Sequence, residues 1–276
     1  AGCYSNTTNP DHAEKLLLRS IGIKERLEEG KSLAYSYAEM GNVFLAKGDF
    51  TKATMHFQKS LGQFTYYKMD YFICRILVLL ADAQNEIGDY VEVERYLKLA
   101  HPICVELNES LMMGKIFYFE AILLENKVND KQALINYNKS IEYFQEGELY
   151  TPLLYSIIAL CMLKIRNGLF SDADKLLIRA DSILKRISDP LVKLSVKITK
   201  LHLSSLMGDC TLTDCDHILN ELKAQKIYHS FHIEWWILSK TYYIIESKQK
   251  AEDCQKQAQK ILHQYSQMIS DENQKE

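Results

Sequence analysis

Cys210, Cys215 and His217 stand within one short stretch, and His202 lies a little before them. Thiolate and imidazole are the ligand types of zinc. The spacing Cys-x4-Cys-x-His is nevertheless a poor zinc frame. A second cysteine pair is missing, and residues 215 and 217 leave a helix on different sides. No metal is therefore expected, and these three residues are only weak candidates. Cys3 has another possible chemistry. "AGC" at the start matches the cleavage end of a bacterial lipoprotein signal, with Cys3 as the lipid-bearing residue and "YSNTTNPD" as a polar tether. The charged and apolar parts of such a signal are absent from the sequence, so the stub of a longer chain is the competing reading. His229 and His232 flank Phe231 ahead of Trp235 and Trp236. They either gate a pocket or, the favoured reading, mark a helix start that puts Trp235 in the core and Trp236 on the neighbouring face.

Other chemistry is not visible. There is no Gly-x-Gly-x-x-Gly, no Gly-Lys-Ser/Thr and no nucleophile elbow. An enzyme is not expected, and neither is a cofactor. The formal charge of −3 argues against direct nucleic-acid binding, which needs a basic face. No apolar run is long enough to span a bilayer. The seven cysteines are odd in number and scattered, and most read as reduced, buried, small hydrophobes. The expected location is the cytoplasm. The alternative is the bacterial envelope, with Cys3 as a lipid anchor.

The elements that would position these residues follow a beat. "AKGDF" at 46–50 returns as "EIGDY" at 86–90, "KVNDK" at 127–131, "RNGLF" at 166–170 and "LMGDC" at 206–210. Gly48, Gly88, Val128, Gly168 and Gly208 share one slot in a 40-residue period. Within a unit, Leu33, Tyr37, Met40 and Phe44 recur at helical spacing, and Ala53, Phe57, Ser60 and Leu61 line a second helix. Gly48-Asp49 ends the first helix. Small residues at 41, 53 and 60 allow close approach, while Phe44 and Phe57 fill the space beside them.

This pattern resembles the tetratricopeptide repeat. The first unit supplies Tyr37, Met40-Gly41, Phe44, Gly48-Asp49-Phe50, Ala53, Phe57 and Ser60. The second supplies Leu77, Leu80-Ala81, Gly88-Asp89-Tyr90, Val93, Leu97 and Ala100. The last supplies Trp235, Leu238-Ser239, Tyr242, Ala251 and Ala258. The 40-residue period is similar to the longer-repeat subclass of large bacterial signalling and regulatory proteins. The resemblance implies an all-α, right-handed α-solenoid of stacked antiparallel helix pairs. Residues 1–11 are expected to be a flexible tail or tether. The array would cover 12–266, with an orphan helix at 12–29 and six pairs starting near 32, 72, 112, 152, 192 and 230. A polar tail would occupy 267–276.

The resemblance also implies a concave groove lined by the first helix of each pair. By position this groove carries Tyr35, Ala38 and Asn42, then Arg75, Asp82 and Asn85, then Lys115, Tyr118 and Glu125. Further along come Tyr155, Ile158 and Met162, then Ser195 and His202, then Trp236, Lys240 and Tyr243. The clamp that some tetratricopeptide domains use for an acidic chaperone tail is not expected. Asn42 and Lys115 match it, but Ala38, Leu79 and Phe119 do not. The implied function is a non-enzymatic scaffold for a protein or peptide. The alternatives are a ligand-sensing regulatory region of a larger protein, or an envelope lipoprotein using the same groove.

Overall fold

The computed structural model describes residues 10–225 and 232–273, with side chains through residue 264. Cys3 and His229 lie outside the described residues. All elements among the described residues are helices. They group into two compact units that divide between Glu148 and Leu149.

The first unit holds α1 (Pro10–Arg26), α2 (Gly30–Lys47), α3 (Phe50–Tyr66), α4 (Asp70–Ile87), α5 (Tyr90–Leu107), α6 (Ser110–Asn126) and α7 (Asp130–Glu146). The short motif that marks the repeat does two jobs at each joint. Gly48 and Gly88 take left-handed φ values of 75° and 84° and close α2 and α4. The next residue opens the following helix. Asp49 Oδ1 accepts from Lys52 N at 3.2 Å, and Asp89 Oδ1 accepts from Glu92 N at 3.2 Å. Asn129 caps α7 in the same way, through Gln132 N at 3.4 Å. A second left-handed position recurs at Glu28, Lys68, Asn108 and Glu148, where each second helix gives way to the next pair.

Helix faces then meet through the small residues. A β-carbon on Gly41 would lie 2.5 Å from the Phe57 ring, and one on Gly114 would lie 2.5 Å from the Phe144 ring. Each ring is therefore seated on bare backbone, and both are fully buried. Buried hydroxyls tie the same helices: Ser60 Oγ donates to Ala34 O at 2.9 Å, and Ser140 Oγ to Gly114 O at 2.8 Å. Cys74 and Cys104 form a disulfide between α4 and α5, with Cα atoms 6.1 Å apart. The expectation of reduced cysteines fails at these two, whose spacing of 30 residues carries no pairing signal, and holds for Cys161, Cys210, Cys215 and Cys254. α1 buries only Pro10 and Ile21, and Leu16, Leu18 and Leu27 remain exposed.

The second unit holds α8 (Tyr150–Arg166), α9 (Phe170–Leu184), α10 (Pro190–Met207), α11 (Leu212–Ala224), α12 (His232–Ile244) and, as far as Ser266, α13 (Lys248–Asn273). Asp189 caps α10 with Pro190 in its first turn, and Thr211 and Asp214 form a reciprocal capping box on α11. Leu194 and Ile198 of α10 pack with Cys215, Ile218 and Leu222 of α11, Leu238 and Tyr242 of α12, and Ala251 and Cys254 of α13. Trp235 packs partly buried against this core, while Trp236 on the adjacent face is 43% exposed. Tyr242 is buried to its hydroxyl, which donates to Asp216 Oδ1 at 2.8 Å. Lys250 Nζ sits on the same carboxylate at 2.6 Å. No described helix is long and apolar enough to cross a membrane.

Candidate partner-binding surface

In the first unit the sequence-nominated residues fall on α2, α4 and α6 but differ in what they can offer. Tyr35 is exposed, its ring edge-on to Phe64 and Phe72 at 5.1 and 4.8 Å. Arg75, Asn85 and Tyr118 are half-buried. Asp82 is buried and faces Lys115 Nζ at 3.7 Å, with the lysine side chain only 12% exposed. These two nominated charges therefore neutralise each other across α4 and α6, and a partner would meet a pair rather than two separate ions. Asn42 is different. Its Nδ2 donates to Glu39 Oε2 at 3.4 Å, which fixes the amide orientation, and its Oδ1 is buried without a hydrogen-bond partner. An unpaired buried acceptor costs roughly 1–3 kcal/mol, and its burial closes this oxygen to a docked partner.

In the second unit, Tyr155 and Met162 on α8 are half-buried, and Met162 packs against the core formed by α10 to α13. It serves packing rather than an open surface. His202, Trp236 and Lys240 do come together. With Leu206, Tyr243, Ile244 and residues of α13, they line a cavity of about 620 Å³ between α10, α12 and α13. That volume lies within the usual range for ligand pockets.

The cavity's chemistry follows from its local geometry. Trp236 and Tyr243 stand seven residues apart on α12, two turns along one face, and both are exposed. Lys240 lies between them, with Nζ 5.7 Å from the Trp236 ring centre, over its negative face. Ser239 is spent on structure, its Oγ donating to Ala251 O at 2.8 Å. Thr241 Oγ1 donates to Ile237 O at 2.9 Å, so it has no proton left for His202 Nδ1 at 3.1 Å. The imidazole must therefore donate from Nδ1, leaving Nε2 as its acceptor nitrogen. Burial, helped by the charge of Lys240, pushes the His202 pKa down to about 4. The ring is neutral at pH 7. α13 contributes Lys248, Glu252 and Gln255.

The weak metal candidates divide. Cys210 Sγ and Cys215 Sγ are 3.5 Å apart. His217 is 72% exposed and turns to Glu221 Oε1 at 3.2 Å. Among the described residues no group of three or more His, Cys, Asp or Glu could hold a metal ion. The α13 residues were missed because the groove was assigned to first helices alone. Their spacing of four and three residues, one face of a helix, is the signal that would have found them.

The fold is that of tetratricopeptide-type helical repeats, an all-α solenoid class. No family model matches the chain, and no curated protein matches it. Solved structures do. A Rap protein complexed with Competence and Sporulation Factor is similar over 96% of this chain and 79% of its own, at 10% identity and a TM-score of 0.72. Aspartyl phosphate phosphatase F from Bacillus subtilis is similar over 84% of this chain and 60% of its own, at 11% identity and 0.71. A tetratricopeptide repeat protein from Parabacteroides merdae is similar over 93% and 98%, at 12% identity and 0.52. Identities this low speak for the fold alone.

Proposed function

We propose that this chain is a non-enzymatic scaffold that holds a protein or peptide segment, with the cavity between α10, α12 and α13 as an anchoring point. The observation that carries this reading is the convergence of Trp236, Lys240 and Tyr243 on one cavity, which the first-helix positions nominate independently. Large rigid aromatics give contact area at low entropy cost, and the lysine gives direction to an acceptor beside them. Lys240 and Lys248 outnumber the single Glu252. The occupant is therefore an apolar side chain followed or preceded by a carboxylate. A Rap protein of the same fold has been solved with Competence and Sporulation Factor bound, which agrees with partner holding as a use of such helices.

The test is peptide selection from a random display library on the purified protein, followed by affinity measurement of the enriched peptides. The expected consensus pairs an apolar residue with an acidic one. Trp236→Ala and Lys240→Ala should each weaken binding about tenfold or more, as loss of an anchor worth at least 1.4 kcal/mol does. Helix content should be unchanged. Enrichment of nothing, or binding indifferent to both substitutions, rejects the proposal.

A further inference from the structure

The two sulfurs that come together in the failed metal cluster have a chemistry of their own. Cys210 lies in the turn after Gly208, whose φ of 84° closes α10, and immediately before Thr211, the cap of α11. Cys215 lies just inside α11 and is fully buried. Their Sγ atoms are 3.5 Å apart, and each can donate to the other. Of the free cysteines described, Cys161, Cys215 and Cys254 are buried, and Cys210 alone has partial exposure. A dissolved reagent therefore meets Cys210 first and finds Cys215 directly behind it.

We infer that Cys210 and Cys215 form a reversible modification site, a thiol pair that low-molecular-weight disulfides convert to an internal bridge. The thiolate of Cys210 attacks one sulfur of the small disulfide. A mixed disulfide forms and one small thiolate leaves. The sulfur of Cys215, in contact with that of Cys210, then attacks it and expels the second small thiolate. The two protein thiols lose two electrons and two protons, and the small disulfide gains both as two thiols. Bridging requires the sulfurs to close from contact distance to about 2.05 Å. Cys210 lies in the turn between α10 and α11 and belongs to neither helix, so on its side the movement falls on turn backbone.

The surroundings set the tempo. Burial and the carboxylate of Asp214 raise the Cys210 pKa, opposed by the hydrogen bond from Cys215. Burial and the neighbouring thiol push Cys215 up to about 12. Neither sulfur is primed as a fast nucleophile. The pair therefore follows the prevailing redox poise slowly and is not built for turnover. It also differs from Cys74–Cys104, whose two residues are wholly buried and closed to reagents.

The experiment uses the full chain with Cys3→Ser, so that no thiol outside this set competes. The reduced pair at 210 and 215 is exposed to oxidised glutathione at pH 8 under native conditions, quenched in acid, alkylated in denaturant and mapped by mass spectrometry. The expected result is loss of alkylation at 210 and 215 together, a bridged peptide pair, and recovery with dithiothreitol. Cys215→Ala, which keeps a small apolar side chain in the core, should stop at a stable glutathione adduct on Cys210. Cys210→Ala should leave Cys215 free and unmodified. A lasting adduct on Cys210 of the chain that retains Cys215, or first reaction at Cys161, Cys215 or Cys254, overturns the inference. So does the absence of any reaction at Cys210.

Discussion

Val128 is the one non-glycine in a slot otherwise held by Gly48, Gly88, Gly168 and Gly208, and the backbone treats it like the others. Its φ is 56°, against 73–84° for the glycines. Its turn makes the same bonds: Val128 N to Glu125 O at 3.0 Å and Asn129 N to Leu124 O at 2.9 Å. At Gly48 the equivalents are Gly48 N to Leu45 O at 3.0 Å and Asp49 N to Phe44 O at 2.9 Å. A side chain in the left-handed region costs about 1–2 kcal/mol, with a β-branched one at the upper end. Val128 is 85% exposed, so its removal gives up little burial. Glycine returns roughly 0.4–1 kcal/mol to the unfolded chain. The difference predicts that Val128→Gly stabilises by about 0.5–1 kcal/mol. With a urea m-value of about 2 kcal/mol/M, the midpoint should rise by roughly 0.3–0.5 M at constant m. Gly168→Val supplies the mirror image. A β-carbon there meets nothing within 4 Å, so its cost is purely one of backbone, and the midpoint should fall by at least as much. Urea melts followed by circular dichroism measure both, and amide exchange in the last turn of α6 localises the first. A fall on Val128→Gly, or an indifferent Gly168→Val, refutes the reasoning.

Two further outcomes rest on packing and on charge. Gly41→Ala and Gly62→Ala change the same residue type on adjoining helices with opposite expected signs. The first drives a β-carbon to 2.5 Å from the buried Phe57 ring and should cost about 1–3 kcal/mol. The second meets nothing within 4 Å inside α3 and should gain roughly 0.5–1 kcal/mol; urea midpoints read both. His202 contributes a pH dependence, because its folded pKa of about 4 lies below the 6.5 of the unfolded chain. Between those values the unfolded chain binds more protons. The contribution is therefore complete above pH 6.5 and is lost as pH falls towards 4, by up to roughly 3 kcal/mol. His202→Gln should flatten the difference between melts at pH 7 and pH 5, and an unchanged slope would exclude this origin.

The helical architecture was legible because its causes are local. The Gly-Asp joint closes one helix and caps the next within four residues, and the small slots sit beside their rings at helical spacing. The candidate surface was less legible because its causes are not local. Asp82 and Lys115 lie on different repeats, and no single-helix pattern says that they meet and cancel. The buried setting of His202 depends on Thr241, which belongs to another helix pair. The α13 wall of the cavity escaped because a rule about first helices was applied to a place where a second helix also takes part.

The disulfide shows how far the period reaches once contacts are known. Gly114 of α6 faces Phe144 of α7, so one slot holds no side chain and the opposite slot holds a large ring. One period earlier the same two slots hold Cys74 and Cys104, which close the gap with a covalent bond. Two periods earlier they hold Ala34 and Phe64, both fully buried. The hydroxyl bond follows the same register: Ser60 donates to Ala34 O, and Ser140 to Gly114 O. In the middle unit the small slot of α5 is Ala100, which has no hydroxyl, and its carbonyl lies 3.9 Å from Cys74 Sγ, a contact without a hydrogen bond because the bridged sulfur carries no proton. The space between paired helices is thus fixed by the backbone, and three sequences fill it by two means: small against aromatic twice, and sulfur against sulfur once. Because the spacing belongs to the fold rather than to the bond, replacing Cys74 and Cys104 by alanine and phenylalanine, the pair that Ala34 and Phe64 form one period earlier, should leave the helix content measured by circular dichroism unchanged.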